Sequence, residues 1–445
     1  MQEDEITMPA PLLSILHHCS LVVALFFGIF SITAEGQDCA QADIALGTQA
    51  EIDAFQSAYG PCAVVPGNLT IAGADIVNLS PLAPLAEVGG ALQISDSPGI
   101  EELDGLGALQ SVGGHLLILR LDSLHDVDAL SSLTSVGWLA LGTLPSLESL
   151  AGFDSLVTAT EGISLAHLDA PLAAVGFNNL QTAREIIIRD NPGILSIGGF
   201  NQLASLEWDI SILRTDVANI SGFSALTSVR YIDIRNTEAT VISGFNNLAE
   251  ANSLEIISNP NLLEISGFGA LESLTSTAGD LRIQYSPLLS TLTGFSQLVS
   301  VSGDLVLNHL GELRDPSGLS NIAAIGGGIE ITDNASLPAL AWLSNLSFVQ
   351  DTVYVSSNAG LRSLSGLENI QGVTGLMAVT NNPALRDCVP IQTLIDGVDD
   401  YAPGPGGIVH PDVGNLLLSG NANCNSIEQI LDQIFLDGLE QYEAH

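Results

Sequence analysis

Lysine is absent from the 445-residue chain; its ten basic residues are all arginine and stand against fifty aspartates and glutamates, for a formal net charge of −40. A surface of that sign repels phosphate backbones and anionic headgroups, which argues against nucleic acid and charged membrane surfaces as partners. Charge is also sparse, at 13% of residues, and aromatic side chains make up only 5%. With 46% hydrophobic residues and a mean hydropathy of +0.38, a core must be filled mostly by Leu, Ile, Val and Ala. Beyond the N-terminal region the chain shows no second hydrophobic span, no lipid-anchor tail and no lipoprotein-type cysteine. The acidity itself has two readings: solubility in a salty or extracellular medium, and recruitment of cationic partners.

The one long apolar run, Leu21 to Ile32, is followed by Ala34-Glu35-Gly36-Gln37, which reads as a signal-peptide core and cleavage site and assigns residues 1–36 to a signal peptide. The acidic start Met1-Gln-Glu-Asp-Glu5 departs from that pattern, and initiation at Met8 would remove it. The alternative is an uncleaved anchor over Leu12 to Ala34, with His17 and His18 inside the span. Cleavage leaves 46 acidic residues against the ten arginines, or −36. Either way the protein is expected outside the cell or on its surface, with no membrane insertion after cleavage. The cysteine pattern agrees. Cys19 leaves with the signal, and Cys39, Cys62, Cys388 and Cys424 form one pair at each end of the remaining chain. Of three connectivities, Cys39–Cys62 with Cys388–Cys424 is favoured, because the others bridge opposite ends of an elongated domain.

Between those pairs a motif of about 24 residues recurs from Gly67 to the Arg386 region. Its clearest copy is Leu254-Glu-Ile256-Ile-Ser-Asn259-Pro260-Asn-Leu262, followed by Ile265, Gly267-Phe268, Leu271 and Leu274. Paired apolar residues at period two mark one strand per copy, from Leu69/Ile71 and Leu92/Ile94 through Ile186/Ile188, Trp208/Ile210 and Ile232/Ile234 to Met377/Val379. Fourteen such pairs predict a mainly-β solenoid of about fourteen coils with one long parallel sheet, roughly 65 Å long at the usual strand spacing. Apolar residues after the strand recur about every third position, which suits a chain bending around a core, and no α-helix is predicted inside the coils. The division expected is an N-terminal disulfide cap at 37–66, repeats at 67–387 and a C-terminal disulfide cap at 388–445.

Two inward columns follow from the alignment of copies. Asn191, Asn259, Asn334, Asn358 and Asn382 fall three residues after the strand pair, where stacked side-chain amides satisfy turn backbone groups. Phe153, Phe177, Phe200, Phe223, Phe245, Phe268 and Phe295, each after a glycine, predict a phenylalanine spine in edge or offset contact. In the caps, Thr48-Gln-Ala-Glu51 reads as a capping box opening a short helix that carries Ile52, Phe55 and Tyr59. Asn425-Ser426 begins an amphipathic helix with Ile427, Ile430, Leu431, Ile434, Phe435 and Leu439 on one face. Asp399 to Gly407 reads as a loop, and Leu416-Leu-Leu418 as a last strand.

Written as Gly-x-Leu-x-Ile-x-x-Asn-Pro-x-Leu-x-x-Ile-x-Gly-Phe-x-x-Leu-x-x-Val, the repeat resembles the receptor L-domain family, a relative of leucine-rich repeats. The segments Val88-Gly-Gly-Ala-Leu-Gln-Ile94, Ile188-Arg-Asp-Asn-Pro192 and Leu364-Ser-Gly-Leu-Glu-Asn-Ile370 carry the resemblance, which covers roughly residues 67–387. It implies a right-handed leucine-rich-repeat-like solenoid, and extracellular binding without catalysis and without cofactor. Cysteine-rich, membrane-spanning and kinase segments of signalling receptors do not follow the repeats, and no binding residue transfers by position.

Candidate ligand contacts come from the outward strand positions. Six of the ten arginines lie between 184 and 282, and the outward positions of the middle coils gather Arg189, Arg235 and Arg282 beside Asp209, Asp233 and Glu255. Two readings stand: a recognition surface for a protein or glycan, and a set of cross-strand ion pairs worth under about 1 kcal/mol each. An apolar face at Leu117, Leu119 and Leu121 is a second docking candidate. Sequons at Asn68, Asn78, Asn219 and Asn345 are candidate glycosylation sites in a eukaryotic host, whereas Asn334 falls in the inward ladder and is expected to escape. For catalysis or Ca²⁺ only Asp209, Asp233 and Glu255 fall on successive coils. The leading expectation is a non-catalytic secreted or surface binding protein; a structural cell-surface rod and a carbohydrate-active enzyme are the alternatives.

Overall fold

A computed structural model describes residues 37–172, 175–276, 279–395, 416–430 and 432–433. The expected signal segment at 1–36, the expected loop at 399–407 and the expected helix positions Leu431, Ile434, Phe435 and Leu439 lie outside the described residues. Gly36–His445 forms one compact unit, and it is a mainly-β, parallel solenoid of about 14 turns with few helices. The principal strand of each coil pairs in parallel with that of the next. The series begins with Ile44–Leu46 on Leu69–Ala72 and ends with Met377–Thr380 on Leu416–Ser419. The sheet therefore gains a strand from within the predicted N-terminal cap, and Leu416–Ser419 adds the expected last one. Two-residue strands ahead of the principal ones, such as Val64–Val65 on Glu87–Val88, pair in the same sheet.

Alternation explains the strands. Leu69 and Ile71, Leu92 and Ile94, and their successors are fully buried, while the residue between them faces outward. At the strand end one residue per coil turns the chain through the left-handed region, as at Asp96, Arg120, Asp190 and Tyr285. The predicted asparagine ladder follows at once. Asn358 is fully buried, donates to the Ile331 carbonyl at 2.8 Å and accepts from the Asn334 amide at 3.0 Å, and Asn382 and Asn421 carry the pattern onward. In-register stacking lets each side chain serve the coil before it, so backbone groups without a strand partner are satisfied inside the core.

The phenylalanine spine is also present, as parallel stacks rather than edge contacts. Ring centroids from Phe153 to Phe295 lie 5.0 to 5.6 Å apart with interplanar angles of 2° to 10°. The glycine before the ring is a steric requirement: a Cβ at Gly152 would meet the Val127 carbonyl at 1.7 Å, and one at Gly199 the Gly176 carbonyl at 1.7 Å. Alongside the middle of the spine, Ser196–Ile197, Asn219–Ile220, Val241–Ile242, Glu264–Ile265 and Thr291–Leu292 form a second, five-stranded parallel sheet. Flanking coils carry 3₁₀ turns such as Asp104–Leu106 and Ala341–Leu343.

One register differs from expectation. Ile210 and Ile212, not Trp208 and Ile210, are the buried pair, in line with Ile186/Ile188 and Ile232/Ile234. Trp208-Asp-Ile-Ser-Ile212 offers two alternating pairs, and either choice leaves coils of 22 and 24 residues, so spacing alone does not decide between them. Packing decides: two β-branched isoleucines fit the core column, and the indole stays 36% exposed at the corner.

The ends are closed as predicted by Cys39–Cys62 and Cys388–Cys424. The capping box of Thr48 and Glu51 opens the helix Gln49–Asp53, and Ile52 and Phe55 are fully buried beneath it. At the other end helical turns begin at Ile427, with Ile430 buried.

Candidate functional site: the outer face of the long sheet

Strand register sets which outward side chains meet. Ser211, Asp233, Glu255, Arg282, Val306, Glu330 and Tyr354 follow one another in the central outward column. Arg189, Leu213, Arg235 and Ile257 form the next column along the strands. Side chains in one column are a strand spacing apart, close enough for coil-to-coil pairing.

Four of the six predicted residues converge. Arg235 bonds to Asp233 on its own strand and to Glu255 on the next. Arg282 reaches Asp280 at 2.8 Å, Asp304 at 2.9 Å and Glu255 at 3.8 Å, so Glu255 links the two arginines. These side chains are largely withdrawn from solvent, with Asp233 15% and Glu255 14% exposed. Burial pushes the Asp233 carboxyl above its usual range against the pull of Arg235, and burial, with the hydrogen bond to Glu255, raises the neighbouring Tyr231 phenol. The ion-pair reading of this cluster is thus realised in the structure: Arg235 and Arg282 spend donors on their own chain.

Two predicted residues stand apart. Because of the changed register, Asp209 aligns with Tyr231 rather than with Asp233, and it holds Arg230 at 2.8 Å. The triad of Asp209, Asp233 and Glu255 is not assembled in one column. Arg189 is exposed, is separated from Arg235 by Leu213, and makes no ion pair among the described residues. Of the apolar candidate, Leu121 is fully buried at the turn and Leu117 and Leu119 are half-buried.

Three features escaped sequence reasoning. Trp208 lies against two arginines, Arg184 at 3.9 Å from the ring centroid and Arg230 at 5.7 Å, and the register shift concealed that stack. At the corner before the strand, Asp43 and Asn68 on the first coils, and Asp280 and Asp304 further along the stack, form two separate bonded pairs. Asn68 Oδ1 accepts from the Ala91 amide at 2.8 Å, and Asp304 Oδ1 from the Gly328 amide at 2.9 Å. Their signal is legible in retrospect as Asp or Asn directly before Leu-x-Ile. The third is a cleft of about 240 Å³ on the sheet face between Arg282 and Tyr354, over Val306 and Gly328 and beside Asp304 and Glu330. A cleft made where a glycine follows an aspartate on the neighbouring coil has no linear motif.

The sequon residues Asn68, Asn78, Asn219 and Asn345 are all exposed. Asn345 donates its amide to the Ser320 carbonyl at 2.8 Å, and Asn68 donates to Asp43 at 3.1 Å. Asn334 is fully buried. No protein-family model matches the chain, and no curated protein is significantly similar to it.

Proposed function

We propose that the protein is a secreted or cell-surface, non-catalytic binding module, a right-handed solenoid of the receptor L-domain type that takes a protein or glycan ligand on the outer face of its long sheet. One observation carries this reading: the division of aromatic residues. The seven spine phenylalanines are fully buried, whereas Trp208, Tyr285 and Tyr354, each with a polar atom on its ring, are exposed on or beside the outer face. Half-exposed amphipathic rings along one face, among fixed charges, are what recognition surfaces use. The two disulfides agree with an oxidising, extracellular setting, and no helix among the described residues is long and apolar enough to cross a membrane.

The test is capture from surface and secreted fractions of the source organism on immobilised residues 37–445. The triple variant Arg189→Glu/Trp208→Ala/Tyr354→Ala is expected to lose the partner, and Glu264→Gln on the five-stranded sheet is expected to keep it. Retention by the triple variant would move the site off this face; absence of any partner on the unaltered protein would favour a structural rod.

A further inference from the structure

Resting on the binding reading above, we propose that the cleft between Arg282 and Tyr354 binds one pyranose ring of a neutral glycan. Arg282, Val306, Glu330 and Tyr354 are successive residues of the central column. Val306, 2% exposed, makes an apolar floor, and Gly328 opens it at the position where the neighbouring coils carry Asp304 and Thr352. A side chain is barred there, since a Cβ at Gly328 would lie 2.9 Å from the Thr352 carbonyl oxygen.

The polar groups around that floor are held in place by the protein. Glu330 Oε1 accepts from Asn308 at 3.0 Å and from Thr332 at 3.1 Å, leaving Oε2 without a donor among the described residues. Asp351 Oδ1 accepts from the Thr352 hydroxyl at 3.2 Å. Asp304 is fixed by the Gly328 amide and by Arg282, each at 2.9 Å. Tyr354 is 37% exposed and its hydroxyl has no partner among the described residues. Orientated carboxylate oxygens accept from vicinal hydroxyls, and an aromatic face covers the C–H side of a sugar ring.

Charge narrows the class. Asp304, Glu330 and Asp351 repel uronates and sulfated or phosphorylated sugars, and the molecule's −40 adds to that repulsion. Arg282 is already held by Asp280 and Asp304, so its donors are spent on the protein's own carboxylates. A neutral polyol meets no such repulsion.

The experiment is isothermal titration of the full chain with cellotriose and tri-N-acetylchitotriose, with trigalacturonate and N-acetylarginine amide as anionic and cationic competitors. A neutral trisaccharide is expected to bind. Its affinity is expected to fall about tenfold in Tyr354→Ala, less in Tyr354→Phe, which keeps the ring, and measurably in Glu330→Gln. Failure of both trisaccharides, equal binding by Tyr354→Ala, or displacement by either charged competitor would overturn the proposal. If the triple variant loses a captured partner while no trisaccharide binds, the binding reading survives and the glycan cleft falls.

Discussion

A buried asparagine contributes more here than an exposed one of identical chemistry. Asn358 bonds two backbone groups of the preceding coil from inside the core, so Asn358→Ala strands a carbonyl and an amide and is expected to cost about 1–3 kcal/mol. Asn345 makes one similar bond at the surface, where water replaces it, and Asn345→Ala should cost within about 0.5 kcal/mol. Urea midpoints of the two variants measure the difference, and equal losses would refute the argument. Asp96 carries a pH signature. Its hydrogen bond to Arg120 holds its carboxyl down from 3.8 to about 2. A depressed acid contributes stability above its unfolded value and loses it as pH falls through the folded one. Asp96→Asn should therefore flatten the decline of the urea midpoint between about pH 4 and 2. Asp233 has the opposite sign: its raised carboxyl favours the fold in the protonated form, so Asp233→Asn should not flatten that decline.

Stacked columns are the elements that make one coil depend on the next. Phe223 sits between Phe200 and Phe245 at 5.0 and 5.2 Å, fully buried. Phe223→Ala opens a cavity with neighbours on both sides and is expected to cost about 3–5 kcal/mol. Phe223→Leu keeps most of the volume and should cost far less. A double-mutant cycle with Phe245→Ala should show clear coupling, and strict additivity of the two losses would mean that the rings pack independently. On the opposite face the ion-pair elements act differently. Arg235 holds Asp233, whose charged form burial disfavours, together with Glu255, so its removal leaves Asp233 without its arginine while Glu255 keeps Arg282 at 3.8 Å.

Across the whole molecule, charge is the variable most open to experiment. Fifty acids against ten arginines repel one another at any pH near neutral. Raising salt from 0.01 to 1 M shortens the screening length from about 30 to about 3 Å. The thermal midpoint is expected to rise over that range. A fall would show that ion pairs such as Arg120–Asp96 and Arg214–Asp190 outweigh the net repulsion. Because each coil packs mainly on its neighbours, the terminal disulfides protect the ends of the stack rather than its middle.

Periodicity by itself determined the solenoid, the approximate coil count, the inward pairs except at Trp208, the asparagine ladder and the phenylalanine column, and the cysteine positions at the two ends gave the disulfide pairing. A repeat states each packing requirement many times over, and residues in one sequence column must stack in space. The sequence also placed Asp233, Arg235, Glu255 and Arg282 together, since they fall within one strand position of each other on successive coils. Only the tertiary structure decided the register at Trp208, because Trp208-Asp-Ile-Ser-Ile212 alternates equally well in two frames and side-chain volume in the core selects one. That single choice removed Asp209 from the cluster. Tertiary structure alone also produced the cleft beside Tyr354, since a gap at Gly328 exists only where the side chains of neighbouring coils rise around it.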